Sequence, residues 1–275
     1  MVKIAMAQIQ VWPEDKQRNL RKIEEYIEKA AGEQCDIVVL PECSDLGWAN
    51  PQAGDEAEPV PGKTSSFLCE LSRKYGIYTA CGITEREGEK LYNTAVLVNR
   101  KGEMILKHRK INILTGIEDM YSVGDSLKTV ETEFGKIGLA ICADNLAESA
   151  VIGHTLGRMG CQLLLSPSSW AVTEDFIQEG RIYGDEWRVP YQMLSKTYGM
   201  AVVGVSNVGE IPFGQWQDRC CIGNSMASDP EGRIVKELPF GRKAETLGIL
   251  EVELKKNGLY GTALSEAVYS RIIQN

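Results

Sequence analysis

A chain of 275 residues, 43% apolar and 25% charged, has the makeup of a soluble globular protein with material for one large core or two modest ones. A net charge of −8, with "KHRK" at 107–110 as the one basic cluster, argues against nucleic-acid binding, which needs Lys and Arg massed on a surface. No apolar run reaches the roughly 18 residues of a membrane span, and the opening "MVKIAMAQIQVWPEDK" does not fit a secretion signal, so a cytoplasmic protein that does not bind membranes is expected.

In chain order, runs rich in Val, Ile and Leu predict strands at about 2–9 and 36–41, separated by a helix that carries Leu20, Ile23, Ile27 and Ala30 on one face. The stretch "NPQAGDEAEPVPGK" at 50–63 reads as a surface loop without regular structure, given its Pro and acidic content. A second helical face, Phe67, Leu71 and Tyr75, precedes strands at 78–84 and 92–99. "ILKHRKINIL" at 105–114 reads as a basic strand, with Lys107, Arg109 and Ile111 on one face and His108, Lys110 and Asn112 on the other. At least one of those cations should turn inward. A strand at 136–142 ends on Cys142, and Asp144 and Asn145 read as N-cap residues of a helix starting near Leu146 and carrying Leu156 and Met159. Strands at 161–166, 200–206, 221–228 and 246–254 complete the pattern, with a helix through Tyr191, Leu194 and Tyr198.

Alternating strands and helices make the class α/β. "VKIAMAQI", a helix and "DIVVLPEC" are echoed by "GKIGLAIC", a helix and "CQLLLSPSS", which implies two similar units forming two facing sheets or one large one. No linker interrupts the chain, so a single domain over 1–275 is expected.

The chemistry narrows by exclusion. There is no Gly-rich dinucleotide turn and no P-loop. The eight cysteines include no CxxC pair, which excludes a zinc site of that kind, and their places in apolar runs favour free thiols in a reducing compartment. Cys220 and Cys221 cannot both face inward on one strand and receive no role. The only histidines are His108, which reads as a surface residue, and His154 in the helix after Cys142; no motif ties either to a cysteine. If a thiol reacts, its base should be a carboxylate.

Glu42 fits that need. Leu40 and Pro41 end a buried strand, and strand ends are where α/β proteins place ligand-handling groups; partial burial would raise its pKa towards neutrality. Cys142, at a strand-to-helix turn, would sit where backbone N–H groups favour a thiolate and an oxyanion. Taken singly, the three segments read more blandly, as a loop acid, a basic edge strand and a core thiol.

Together and in order, "KIAMAQI" (3–9), "LPE" (40–42), "HRKIN" (108–112), "GLAICADN" (138–145), "LLLSPSSW" (163–170), "VVGVSNVG" (202–209) and "GNSMASDPEGRIV" (223–235) resemble the nitrilase superfamily of carbon–nitrogen hydrolases. The resemblance implies a four-layer αββα sandwich of two facing mixed sheets flanked by helices, pairing into a homodimer or a higher homo-oligomer, and no metal or organic cofactor. It implies catalytic Glu42, Lys110 and Cys142, with Glu118 as a supporting acid and Asp119 as the competing choice. The backbone N–H of Ala143 would serve the oxyanion, and Asn145, Trp170 and Trp48 are candidates for the substrate pocket. Trp187 and Tyr191 read as core or dimer contacts. Where the family usually has an aromatic residue after the nucleophile this chain has Ala143, and its "NLAES" replaces the family's "RFPE", keeping the acid as Glu148. The activity implied is that of an amidase working through a Cys142 thioester; a nitrilase or an N-carbamoyl amide hydrolase would use the same residues, and a non-catalytic scaffold would normally have lost one of them.

Overall fold

In β1 (Val2–Gln8) the side chains of Ile4 and Met6 enter one apolar cluster and those of Ala5 and Ala7 another, so both faces of the strand are covered. The same division continues through β2 (Ile37–Val39), where Ile37 and Val39 oppose Val38, and it sets the layering of the molecule. The computed structural model describes residues 1–173, 176 and 183–255.

The chain continues through β3 (Tyr78–Glu87), β4 (Lys90–Val98), β5 (Met104–Arg109), β6 (Thr129–Thr132), β7 (Gly135–Leu139), β8 (Leu163–Ser168) and β9 (Ala171–Thr173). It then forms β10 (Ala201–Ser206), β11 (Val208–Ile211), β12 (Arg219–Ile222), β13 (Met226–Ser228), β14 (Ile234–Glu237) and β15 (Thr246–Val252). Five helices connect them among the described residues: α1 (Lys16–Gly32), α2 (Ala53–Glu56), α3 (Lys63–Tyr75), α4 (Ala150–Arg158) and α5 (Asp185–Tyr198).

Two six-stranded sheets result, ordered β15-β1-β2-β3-β4-β5 and β6-β7-β8-β10-β13-β14. In both, the successive pairings are antiparallel, parallel, parallel, antiparallel and antiparallel. The echo in the sequence is therefore a strand-for-strand correspondence. The inner faces pack against each other through Ile4, Met6, Val39 and Leu97 on one side and Leu165 and Val203 on the other. Helices α1 and α3 cover the outer face of the first sheet through Ile23, Ile27, Leu68 and Leu71, while α4 and α5 pack together through Leu156 and Leu194 beside the second. The αββα sandwich is thus present. A three-stranded sheet, β11-β12-β9, lies beside it.

Local signals explain the helix ends. Asp15 caps α1 by accepting from Arg18 N at 2.9 Å, and α3 stops at Gly76, whose φ of +64 is easy only for glycine. Among the described residues no helix is long and apolar enough to cross a membrane.

Five expectations need correction. β7 ends at Leu139, so Cys142 lies three residues beyond the strand; Cys142–Asn145 form a 3-10 turn, and the helix begins only at Ala150. Asp144 and Asn145 do not cap it, because their side chains bond instead to Ile141, Ile111, Asn112 and His108 and to Ser166 and Cys142. The 50–63 loop contains the single-turn helix α2. His108 is buried, held by an acid that sequence spacing did not reveal. Cys220 and Cys221 are both buried, because β12 has cover on both of its faces.

Candidate active site

Glu42 follows β2 across Leu40 and Pro41, and the backbone there runs against Gly82 of β3. A Cβ added to Gly82 would lie 2.5 Å from Glu42 Cα, so only glycine lets the two segments approach. The following residue, Cys43, has a left-handed φ of +44, and Ser44 N donates to Gly82 O at 2.8 Å, closing the turn that aims the glutamate inward.

Lys110 lies one residue past β5. Its N–H donates to Asn93 O at 2.8 Å, which prolongs the pairing with β4, and its carbonyl accepts from Gly124 N at 2.8 Å. The expected two-faced strand holds. Lys107 and Arg109 reach Glu85 at 2.8 and 2.6 Å near the surface, whereas His108 and Lys110 turn inward.

The ammonium of Lys110, fully buried, lies 2.7 Å from Glu42 Oε1 and 2.5 Å from Glu118 Oε1. Glu118 Oε1 also accepts from Trp48 Nε1 at 2.6 Å, and its Oε2 from Leu114 N at 2.8 Å. Asp119 instead faces solvent and accepts from Gly116 N, so geometry brings Glu118 to the lysine. Burial lowers the affinity of Lys110 for its proton, but Glu118 and Glu42 outweigh it and hold the group well above the usual lysine range. Burial pushes Glu42 up to about 7; Lys110 opposes this and Glu118 adds to it.

Cys142 opens its 3-10 turn with a φ of +43, a strained value for a residue with a side chain, typically costing about 1–3 kcal/mol. The surroundings impose it. The Asp144 carboxylate accepts from Ile141 N at 2.9 Å, Ile111 N at 3.0 Å, Asn112 N at 2.8 Å and His108 Nε2 at 2.8 Å. Asn112 Nδ2 and Ser149 Oγ donate to the Ala143 carbonyl, the former at 2.8 Å. The turn that carries Cys142 is thereby bolted to the segment that carries Lys110. Burial pushes Asp144 up, yet the His108 pairing and the backbone N–H groups bring it below the usual range, so it stays ionised.

The Cys142 thiol is itself raised well above its ordinary value, first by burial and then by the Glu42 charge, with Lys110 opposing. It is a resting thiol, not the dipole-stabilised thiolate expected of a helix N-terminus, since the nearest helix begins at Ala150. Sγ lies 3.7 Å from Ser169 O. The arrangement provides a carboxylate to take a proton, a thiol to attack and a cation to meet developing negative charge.

The expected pocket residues fall into different roles. Asn145 directs its amide nitrogen to Ser166 Oγ at 2.9 Å and Cys142 O at 3.4 Å, leaving only its buried Oδ1 unpartnered among the described residues. Trp170 stacks on Trp187 with ring centroids 4.7 Å apart. Trp48 meets Trp216 edge-on at 5.3 Å. A cavity of about 200 Å³ opens next to the Trp48–Ala49 and Ile117–Glu118 segments, lined by Ala49, Ile117, Met120 and Gln215. The larger groove of about 660 Å³ by α1 and α3 touches none of these groups, so size does not locate the chemistry.

Sequence reasoning missed Asn93, the Asp144–His108 pair and Asn112. The signal for Asn93 was present, as an amide beside Thr94 in the mostly apolar strand "YNTAVLV"; the His108 partnership had none, because 36 residues separate the two.

The family model described as carbon–nitrogen hydrolase matches residues 3–261. Omega-amidase NIT2 of Xenopus tropicalis is 31% identical over 263 residues, covering 88% of this chain and 94% of that protein. Omega-amidase NIT2 of Mus musculus is 29% identical over 269 residues, covering 92% and 89%. The crystal structure of Saccharomyces cerevisiae Nit3, a nitrilase-superfamily member, superposes with a TM-score of 0.77 at 27% identity, covering 92% of this chain and 90% of that one. With the doubled sheet and the ordered motifs already in place, the match over 3–261 makes this chain a carbon–nitrogen hydrolase of the nitrilase superfamily.

Proposed function

We propose that the protein is an amidase that cleaves a small amide through a thioester on Cys142, releasing ammonia and an acid. One observation carries the reading: a fully buried lysine held between two buried carboxylates beside a buried, strained cysteine. A fold has little reason to bury three charges unless they act together.

In the proposed cycle Cys142 Sγ bonds to the amide carbon while its proton passes to Glu42, and the carbonyl electron pair moves onto oxygen. Lys110 and the N–H of Ala143 hold that oxyanion, each such donor being worth on the order of 3 kcal/mol of barrier. The tetrahedral adduct collapses as Glu42 gives the proton to the leaving nitrogen. Water, activated by Glu42, then splits the thioester. Glu118 keeps Lys110 in place, and Trp48 keeps Glu118. Trp170, Trp48 and Asn145 Oδ1 are proposed to border the acyl group. No step calls for a metal or an organic cofactor.

The names of the omega-amidase relatives favour amides over nitriles and N-carbamoyl compounds. We assign the activity to one hydrolase domain spanning 1–275, working as a homodimer in the cytoplasm. All eight cysteines are free, which supports a reducing compartment. Exposed Val151 on α4 and Val189 on α5, on two helices that pack together, support a subunit contact.

Ammonia release from a panel of short aliphatic amides, amides of dicarboxylic acids, N-carbamoyl amino acids and nitriles tests the reading. Turnover confined to the amides is the expected result. Cys142→Ala should abolish it while leaving the fold intact by circular dichroism; undiminished turnover by that variant defeats the mechanism.

A further inference from the structure

The two oxygens of Glu42 have different surroundings. Oε1 accepts from Lys110 Nζ at 2.7 Å and from Asn93 Nδ2 at 2.6 Å, whereas Oε2, also buried, has no hydrogen-bond partner among the described residues. An oxygen whose lone pairs already face two donors is a poor proton acceptor, and its unpartnered twin is the better one.

Asn93 is built into the position that creates this difference. It lies fully buried on β4, opposite Thr84 of β3, and its main-chain carbonyl accepts from Lys110 N at 2.8 Å. Its amide nitrogen also approaches Glu118 Oε1 at 3.4 Å. A single neutral residue therefore sets the backbone that presents the lysine and the carboxylate oxygen that the lysine meets. Apolar residues of similar size could pack here, but none could donate to Oε1.

We propose that Asn93 is a positioning residue for the reaction: with Lys110 it occupies Oε1 of Glu42 and so reserves Oε2 to take the Cys142 thiol proton. The proposal rests on the reading of Glu42 as the base. The charged and titratable groups facing Glu42 are Lys110 beyond β5, Glu118 from the loop after it, Cys142 from the turn after β7, Cys221 on β12 and its neighbour Cys43. Burial pushes Glu42 up, and Lys110 and the Asn93 hydrogen bond act to hold it down. Loss of the Asn93 donor should therefore raise it further.

The test is the pH dependence of Cys142 alkylation by iodoacetamide, in which Sγ bonds to the reagent's carbon, iodide leaves and the thiol proton goes to Glu42. It needs no amide turnover. In the wild-type protein the rate should fall as the pH drops through about 7, where Glu42 becomes protonated and can no longer act as base. Asn93→Leu should move that limb upward and so slow alkylation at pH 7 relative to the wild-type protein, because the ionised fraction of Glu42 falls when the Asn93 donor is lost. In amide turnover the same variant should lose kcat with little change in KM. If Asn93→Leu does not fold, Asn93→Ala is read the same way. A folded Asn93 variant with the wild-type limb overturns the proposal. A wild-type limb that survives Glu42→Gln overturns the base assignment instead.

Discussion

At Lys110 the physics is that of one cation shared by two acids. Its ammonium is within 2.7 Å of Glu42 and 2.5 Å of Glu118, and all three side chains are buried. Removing one partner of a buried charge cluster typically costs about 3–5 kcal/mol, since the remaining charge is left without compensation. Lys110→Met should therefore abolish turnover and also destabilise the protein by about that amount at pH 8. Glu42, already raised by burial and no longer opposed by the lysine, would bind its proton more tightly folded than unfolded, so the deficit should shrink as the pH is lowered towards 6. Denaturant titration at the two pH values checks this; an equal deficit at both would show that Glu42 does not feel the lysine. The residue types at 42, 110 and 142 were legible from the sequence through their ordered motifs. The choice of Glu118 over Asp119 was not, because adjacent residues differ only in where the backbone aims them.

Elements position the site through close backbone approaches. The turn carrying Glu42 packs on Gly82 so tightly that a Cβ there would lie 2.5 Å from Glu42 Cα and 2.7 Å from Pro41 O. Backbone atoms cannot step aside as a flexible side chain can, so Gly82→Ala must move Glu42. The expected result is a loss of about 1–3 kcal/mol in stability, as for other overpacked sites, with a kcat loss of at least about ten-fold. A variant that kept wild-type kcat would show that the placement of Glu42 tolerates such a shift. The second approach is the clamp of Asp144 on Ile111, Asn112 and His108, which joins the turn after β7 to the segment after β5. Periodicity located β5 and β7 but misplaced the ends that matter. It extended β7 through Cys142 because "GLAIC" is uniformly apolar, whereas the chain leaves the sheet after Leu139.

Across the whole molecule, the repeated pairing pattern of the two sheets brings their inner faces together, and Glu42 and Cys142 come from the two different sheets' connections. The outer surface of α4 and α5 leaves Val151 69% and Val189 60% exposed, although Ile152, Leu156, Trp187, Tyr191 and Leu194 on the same helices are buried. Light scattering should report a dimer for the wild-type protein and a monomer for the Val151→Glu, Val189→Glu double variant. A wild-type monomer, or a double variant that remains dimeric, would remove these helices from the proposed subunit contact.

The sequence by itself determined the α/β class, the two echoed units, the family and the glutamate, lysine and cysteine, because local periodicity and ordered short motifs carry that information. Only the tertiary structure decided that Glu118 holds Lys110, that Asp144 pairs with His108, and that Asn93 distinguishes the two oxygens of Glu42. Those facts depend on contacts between residues up to 51 positions apart, whose geometry is fixed by sheet register and by which side chains share a buried space. Neither is written in any local stretch of the chain.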